Sequence, residues 1–188
     1  IQKPLFLMPK KFTVGDVIEK IRSSKIILQK PIRILQLSGS RIIKIMNEKE
    51  DLSNLIGYQF RAEIIPEDQL NCPPNCLVRV SPTIDLSAPR NGIVGTSFII
   101  RIIDDEKVAD TKKRLIKLIK IDENENVTFG YTNNCISPKD YKRLKDDEIL
   151  SELLKGDKTM IYAFLPLNYR MNQRKKIKGW NSGVIIYN

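Results

Sequence analysis

Cys72, Cys76 and Cys135 are the side chains that would be the first choice for nucleophilic or metal chemistry, and their surroundings support neither. Cys72-Pro-Pro-Asn-Cys76 could supply two zinc ligands, but a structural site needs four, and the chain has no histidine at all. A turn that happens to hold two thiols is the better reading. Without histidine there is no Cys–His or Ser–His pair to activate a nucleophile. The carboxylates are plentiful, but no spacing pairs them for acid–base work. No metal, no cofactor and no independent catalytic activity are therefore expected of this chain. An odd number of cysteines also argues against a disulfide framework and suits a reducing compartment.

Recognition chemistry is concentrated at the other end. Residues 170–188 carry 5 basic and no acidic side chains, half of the net charge of +10. The segment closes on Gly179-Trp-Asn-Ser-Gly-Val-Ile-Ile-Tyr-Asn188, glycine-spaced and then β-branched and aromatic, which suits reaching for a partner better than closing a core. Extended backbone sends Val184 and Ile186 to one side and Ile185 and Tyr187 to the other. Such a peptide gains main-chain hydrogen bonds from a sheet edge or groove, with alternate side chains supplying specificity. Trp180 is either an anchor in that interface or a residue lying back on the preceding domain. Arg174, Lys175, Lys176 and Lys178 would steer the tail electrostatically towards an acidic surface. A frayed terminus and a nuclear-import or nucleic-acid patch are the rival readings. Against the nucleic-acid reading, the aromatics do not interleave with the basic residues as a stacking platform requires.

The elements that would carry this tail follow from length and pattern. At 188 residues, 41% apolar and 29% charged, the chain is one large or two small domains. No apolar run approaches the roughly 18 residues of a membrane span. It opens at Ile1 without a methionine or a signal-peptide pattern, as a piece of a longer protein would. Lys3 to Met8 reads as an edge strand between prolines. Thr13 caps a helix with Asp16 in its first turn, and Val14, Val17, Ile18 and Ile21 form its apolar stripe. Ile32 to Leu37 and Arg41 to Met46 make a hairpin about Ser38-Gly39-Ser40. Asn47 to Leu55 predicts a short acidic helix stopped by Gly57, and Tyr58 to Ile65 a closing strand.

Gln69 to Asn75 is a connector, stiffened by Pro73 and Pro74 so that the two halves would not tumble freely. The order then repeats. Leu77 to Leu86 is a strand, Pro89 to Gly95 a loop, and Ser97 to Ile103 an apolar strand buried on both faces. Asp104-Asp-Glu106 opens a helix with Val108, Thr111, Leu115 and Leu118 inward and its lysines late, as the macrodipole favours. Val127 to Thr132 is a strand and Asn133 to Pro138 a turn region. Asp146 to Leu154 is a short acidic helix stopped by Gly156, and Thr159 to Leu167 the closing strand. Val14 and Val108 recur at nearly the same offset as Leu52 and Ile149, which means two copies of one small α+β roll.

Several stretches resemble the carboxyl-terminal ubiquitin-like domains of the herpesvirus-associated ubiquitin-specific protease family and its fungal counterparts. They are Ile32-Arg-Ile-Leu-Gln-Leu37 with Arg41-Ile-Ile43, Ala62-Glu-Ile-Ile-Pro-Glu-Asp-Gln-Leu70, Gly95-Thr-Ser-Phe-Ile-Ile-Arg-Ile102 with its helix, and Val184-Ile-Ile-Tyr-Asn188. The resemblance implies the last two of five ubiquitin-like domains: tandem β-grasp folds over 1–70 and 77–169, a connector at 71–76, and an extended tail over 170–188. The first strand of the first domain would lie before Ile1. The catalytic residues of the parent thiol protease would stand in an upstream domain. The tail would dock on that domain of the same protein and activate cleavage of ubiquitinated substrates, anchored by Val184 and Ile186. Cytoplasm and nucleus are the locations implied. A scaffold that recruits substrates through the ubiquitin-like domains is the alternative.

Overall fold

The computed structural model describes residues 10–24, 30–53, 55, 57–84, 95–121, 127–133, 141–154 and 159–165, and the backbone of 184–187. The chain is α+β and divides into two compact units, Ile1–Leu70 with Trp180–Asn188, and Asn71–Gly179. The expected strand at Lys3–Met8, the loop at 89–94, the turn region at 134–138, the stop at Gly156 and the last two residues of the closing strand, 166–167, fall outside the described residues.

In the first unit, helix α1 spans Val14–Ser23 and begins with a capping box. The Thr13 hydroxyl accepts from the Asp16 amide at 3.3 Å, and the Asp16 carboxylate accepts from the Thr13 amide at 2.7 Å, so orphan N–H groups of the first turn are satisfied. Its predicted stripe, Val14, Val17, Ile18 and Ile21, is buried. Strands β1 (Ile32–Ser38), β2 (Arg41–Ile45) and β3 (Gln59–Ile64) form a sheet with β9 (Val184–Tyr187) in the order β2-β1-β3-β9. The β1–β2 hairpin turns at Gly39, whose φ of 60° favours glycine, and its register shifts between Gln36 and Leu37. Ile32, Ile34, Phe60 and Ala62 alternate onto the α1 side and close the core.

The acidic helix expected over Asn47–Leu55 does not form among the described residues; the segment is a run of turns. Its backbone is committed elsewhere. The Glu48 and Glu50 carbonyls accept from Gly15 and Val14 at 2.8 and 3.0 Å, capping α1 in place of a helix of their own. Asn47, Glu50 and Asp51 side chains take nearby amides, Glu50 from Asn47 at 2.7 Å and Asp51 from Ser53 at 2.8 Å. Local side-chain bonds of this kind compete with helix.

The connector holds two short 3-10 turns, Glu67–Gln69 and Pro74–Cys76, with Pro73 extended between them. The second unit follows with β4 (Leu77–Thr83), β5 (Phe98–Arg101), α2 (Val108–Ile119), β6 (Thr128–Thr132), β7 (Lys142–Arg143), α3 (Leu150–Leu153) and β8 (Met160–Phe164). Its sheet order is β5-β4-β8-β6-β7, with β4 and β8 parallel and the other pairs antiparallel. Val78, Val80, Ile100, Phe129, Ile161 and Ala163 pack with Val108, Leu115 and Ile119 of α2. The sheet's other face is also buried, through Met160, Tyr162 and Phe164, and carries a hydrogen bond of 2.6 Å between Ser81 and Ser97.

Four expectations for this unit are corrected. Asp104, Asp105 and Glu106 precede α2 rather than open it; Asp105 is left-handed, at φ 60°, and Glu106 instead accepts from Thr111 and Arg114. Leu118 is 45% exposed and Ile119 is buried, because eleven residues, not ten, close three helical turns from Val108. The strand at 98–101 ends earlier than expected, with Arg101 and Ile103 exposed. The acidic helix at 146–154 is reduced to α3, since the Asp146 and Glu148 carbonyls accept from Ala109 and Val108 at 3.2 and 2.8 Å. The first unit uses the same arrangement at Glu48 and Glu50.

Candidate functional site

β3 lies between two neighbours. On one side it pairs with β1, from Ile32↔Ile64 to Leu37↔Gln59. On the other its edge receives the end of the tail, β9, antiparallel over four consecutive pairs: Gln59↔Tyr187, Phe60↔Ile186, Arg61↔Ile185 and Ala62↔Val184. The four tail residues, Val-Ile-Ile-Tyr, are the β-branched and aromatic types that fit a pleated surface. Val184 and Ile186 thus stand opposite Ala62 and Phe60, both part of the apolar core under α1.

The two sheets can be aligned strand for strand. β2-β1-β3 of the first unit corresponds to β7-β6-β8 of the second, each an edge strand, a middle strand and the next strand in the chain. The neighbour of β8 beyond that set is β4, parallel to it and the first strand of the second unit. The neighbour of β3 in the same place is β9, running the opposite way. The tail therefore sits where the second unit has its own leading strand.

Beside this edge lies a charged cluster on the sheet face away from α1. Arg33 reaches Glu63 at 2.6 Å and donates to the Gln69 side-chain oxygen at 2.8 Å, while Arg61 reaches the other Glu63 oxygen at 3.1 Å. The Arg33 and Arg61 side chains are 8% and 10% exposed, so these pairs are shielded from the screening that weakens surface ion pairs. Burial lowers the pKa of Arg61, Glu63 opposes the shift, and the charge of Arg33 adds to it. This cluster was not among the sequence expectations. Its signal was one charge in the first apolar strand, Arg33, and two in the other, Arg61 and Glu63, with Arg33 and Glu63 paired in register.

Val184, Ile185, Ile186 and Tyr187 are thus brought to the β3 edge as backbone. Trp180, Arg174, Lys175, Lys176 and Lys178 lie outside the described residues, as does Cys135. Cys72 and Cys76 are both half-buried. Among the described residues no three Cys, Asp or Glu side chains gather as a metal site would, and no helix is long and apolar enough to cross a membrane.

No curated protein matches the chain. The family described as ubiquitin-specific protease C-terminal matches residues 2–170, both units up to the start of the basic tail. With that match extending over most of its length, the chain belongs to the ubiquitin-specific protease C-terminal family.

Proposed function

We propose that this chain is the regulatory carboxyl-terminal region of a ubiquitin-specific cysteine protease, docking on the catalytic domain of the same protein through its tail and raising ubiquitin cleavage. The observation that carries the reading is the family match over residues 2–170. In this reading the chain is two tandem β-grasp domains, 1–70 and 77–169, joined by a connector at 71–76 and followed by a tail from 170. The central parallel pair β4–β8, the flanking antiparallel strands and the single long helix α2 support a β-grasp assignment for the second domain. The shared helix-capping turns support it for the first. The parent enzyme acts on ubiquitinated proteins in the cytoplasm and nucleus, with its catalytic residues outside this chain.

Val184 and Ile186 are the anchors of the docked tail, with Trp180, Ile185 and Tyr187 beside them. Burying two aliphatic side chains alone gives weak binding, but within one protein the effective concentration reaches about millimolar, so weak contacts suffice. Activation requires that the tail bind the active arrangement more tightly than the inactive one. If each aliphatic contributes about 1–2 kcal/mol of that difference, losing both lowers the active-to-inactive ratio by roughly one to three orders of magnitude.

The test mixes the parent's isolated catalytic domain with this chain and follows cleavage of a ubiquitin–fluorophore conjugate. Wild type is expected to stimulate, and Val184→Ser with Ile186→Ser to abolish the stimulation while circular dichroism shows both units folded. Equal stimulation by the double variant would overturn the anchor assignment and favour recruitment of substrates through the ubiquitin-like domains.

A further inference from the structure

We propose that Cys72 and Cys76 are a dithiol site that closes reversibly to an intramolecular disulfide and fastens the end of the connector to the start of β4. Four extended steps would hold two α-carbons about 13–14 Å apart, whereas a disulfide needs them about 4.4–6.8 Å apart. The chain between these two cysteines is not extended. Pro74–Cys76 is a 3-10 turn, in which the Cys76 amide donates to the Pro73 carbonyl at 2.9 Å and the Leu77 amide to the Pro74 carbonyl. That turn brings Cys76 back beside Pro73, the residue next to Cys72. Pro73 and Pro74 carry a fixed φ, so less freedom remains to be lost when the ring closes. Both cysteines are half-buried, and Pro73, Pro74 and Asn75 between them are exposed, which leaves the sulfurs within reach of a small reagent.

The reaction is thiol–disulfide exchange with a low-molecular-weight disulfide such as glutathione disulfide. One cysteine thiolate attacks a sulfur of that reagent, its S–S bond breaks, and one glutathione thiolate leaves a mixed disulfide behind. The second thiolate attacks the protein sulfur of the mixed disulfide and expels the other glutathione. Two electrons pass to the reagent, and the two protons given up by the cysteines end on the two glutathione thiols. A disulfide across so short a ring is strained and therefore easily reduced, which makes it a switch rather than a permanent link. Transient disulfides of this kind suit a reducing compartment, and an odd cysteine count leaves room for one such pair. The closed ring acts on β4. The Cys76 carbonyl accepts from the Ile102 amide at 2.7 Å, and Leu77 opens the β4–β5 ladder opposite Arg101. Ring closure ties down the residue beside which this ladder begins.

The test uses the 188-residue chain with Cys135→Ser, so that only the two connector thiols can react. Incubation with glutathione disulfide should give a product two hydrogens lighter on the peptide that holds both cysteines, read by intact mass and peptide mapping. Reduced glutathione should restore the original mass. Cys72→Ser and Cys76→Ser, each in the same background, should instead stop at a glutathione adduct on the remaining cysteine and accumulate it about tenfold more than the dithiol chain does. Adducts on both cysteines without ring closure would overturn the proposal, and so would disulfides between chains or no reaction at all. Residue-resolved amide exchange reads the consequence for β4. Oxidation should slow exchange at Cys76, Leu77 and Ile102 by about tenfold, while Phe129 and Tyr131 in β6 keep their rates. A closed ring with unchanged exchange at those three amides would overturn the fastening of β4. Equal slowing in β6 would overturn it as well, because the disulfide would then stabilise the whole unit rather than this junction.

Discussion

At Gly130, in the middle of β6, an added Cβ would lie 3.0 Å from the Lys142 carbonyl oxygen, 3.0 Å from the Tyr141 ring and 3.2 Å from the Phe164 ring. Two of those neighbours belong to a packed aromatic group, Tyr141 on Phe164 with ring centroids 5.1 Å apart, so there is nowhere for the methyl to go. Gly130→Ala should destabilise the second unit by about 1–3 kcal/mol, read as a lower urea midpoint at unchanged slope. Carboxylates make the second case at this scale. Hydrogen bonds from Thr13 hold Asp16 below its ordinary value of 3.8, those from Ser53 do so for Asp51, and the Lys112 ammonium does so for Asp146. For Glu50, burial alone would push upward, and Lys44 with the Asn47 amide outweighs it. A lowered folded value means that the stabilisation is complete above the unfolded value and is lost as pH falls through the folded one. The urea midpoint should therefore drop below about pH 4, and Asp16→Asn should flatten that acid slope. Asp16 was legible because a capping box is local in sequence. The Arg33–Glu63 pair was not, since it needs the strand register before two charges thirty positions apart can be seen to meet.

The elements show where local reasoning stops. α1 was readable to within a residue because its cap, stripe and end are all encoded within eleven positions. The acidic stretches at 47–55 and 146–154 carry helical spacing too, yet both give up their carbonyls to the N-terminus of the neighbouring long helix. Propensity lost to a long-range hydrogen-bond partner, and nothing in either stretch alone announces it. The consequence is testable in pairs. Glu50 and Glu148 hold these turns by accepting the Asn47 and Lys145 amides at 2.7 and 2.8 Å. Glu148→Ala should cost about 1 kcal/mol and speed amide exchange at Val108 and Ala109, at the start of α2, more than at its end. Exchange that rises evenly along α2 would show that the turn does not act as a cap.

On the scale of the whole molecule, the turns that cap the two long helices match in their bonding, with Leu52 aligned to Leu150 rather than Ile149 when their amides are matched to Phe12 and Glu106. The destination of the tail was not legible. Alternation of apolar residues says that 184–187 will be extended, but an edge is chosen by what it leaves unpaired, and that is a property of the folded sheet. The charge distribution supplies the remaining prediction, which rests on the proposed docking. Half of the net +10 lies in 170–188, ahead of the four residues that pair with β3. Charges that flank a docking peptide without filling its site act on encounter, raising the on-rate by about ten- to a thousandfold at low salt and little at high salt. Replacing Arg174, Lys175, Lys176 and Lys178 with Gln should thus slow association with the parent's catalytic domain by roughly tenfold in dilute buffer. The difference should shrink as added salt shortens the Debye length towards about 3 Å at 1 M, with dissociation unchanged throughout. Association and dissociation rates measured across a salt series decide it. A faster off-rate at every salt concentration would instead place these side chains in the docked interface, and with them the boundary of the activating peptide would move back to Arg174.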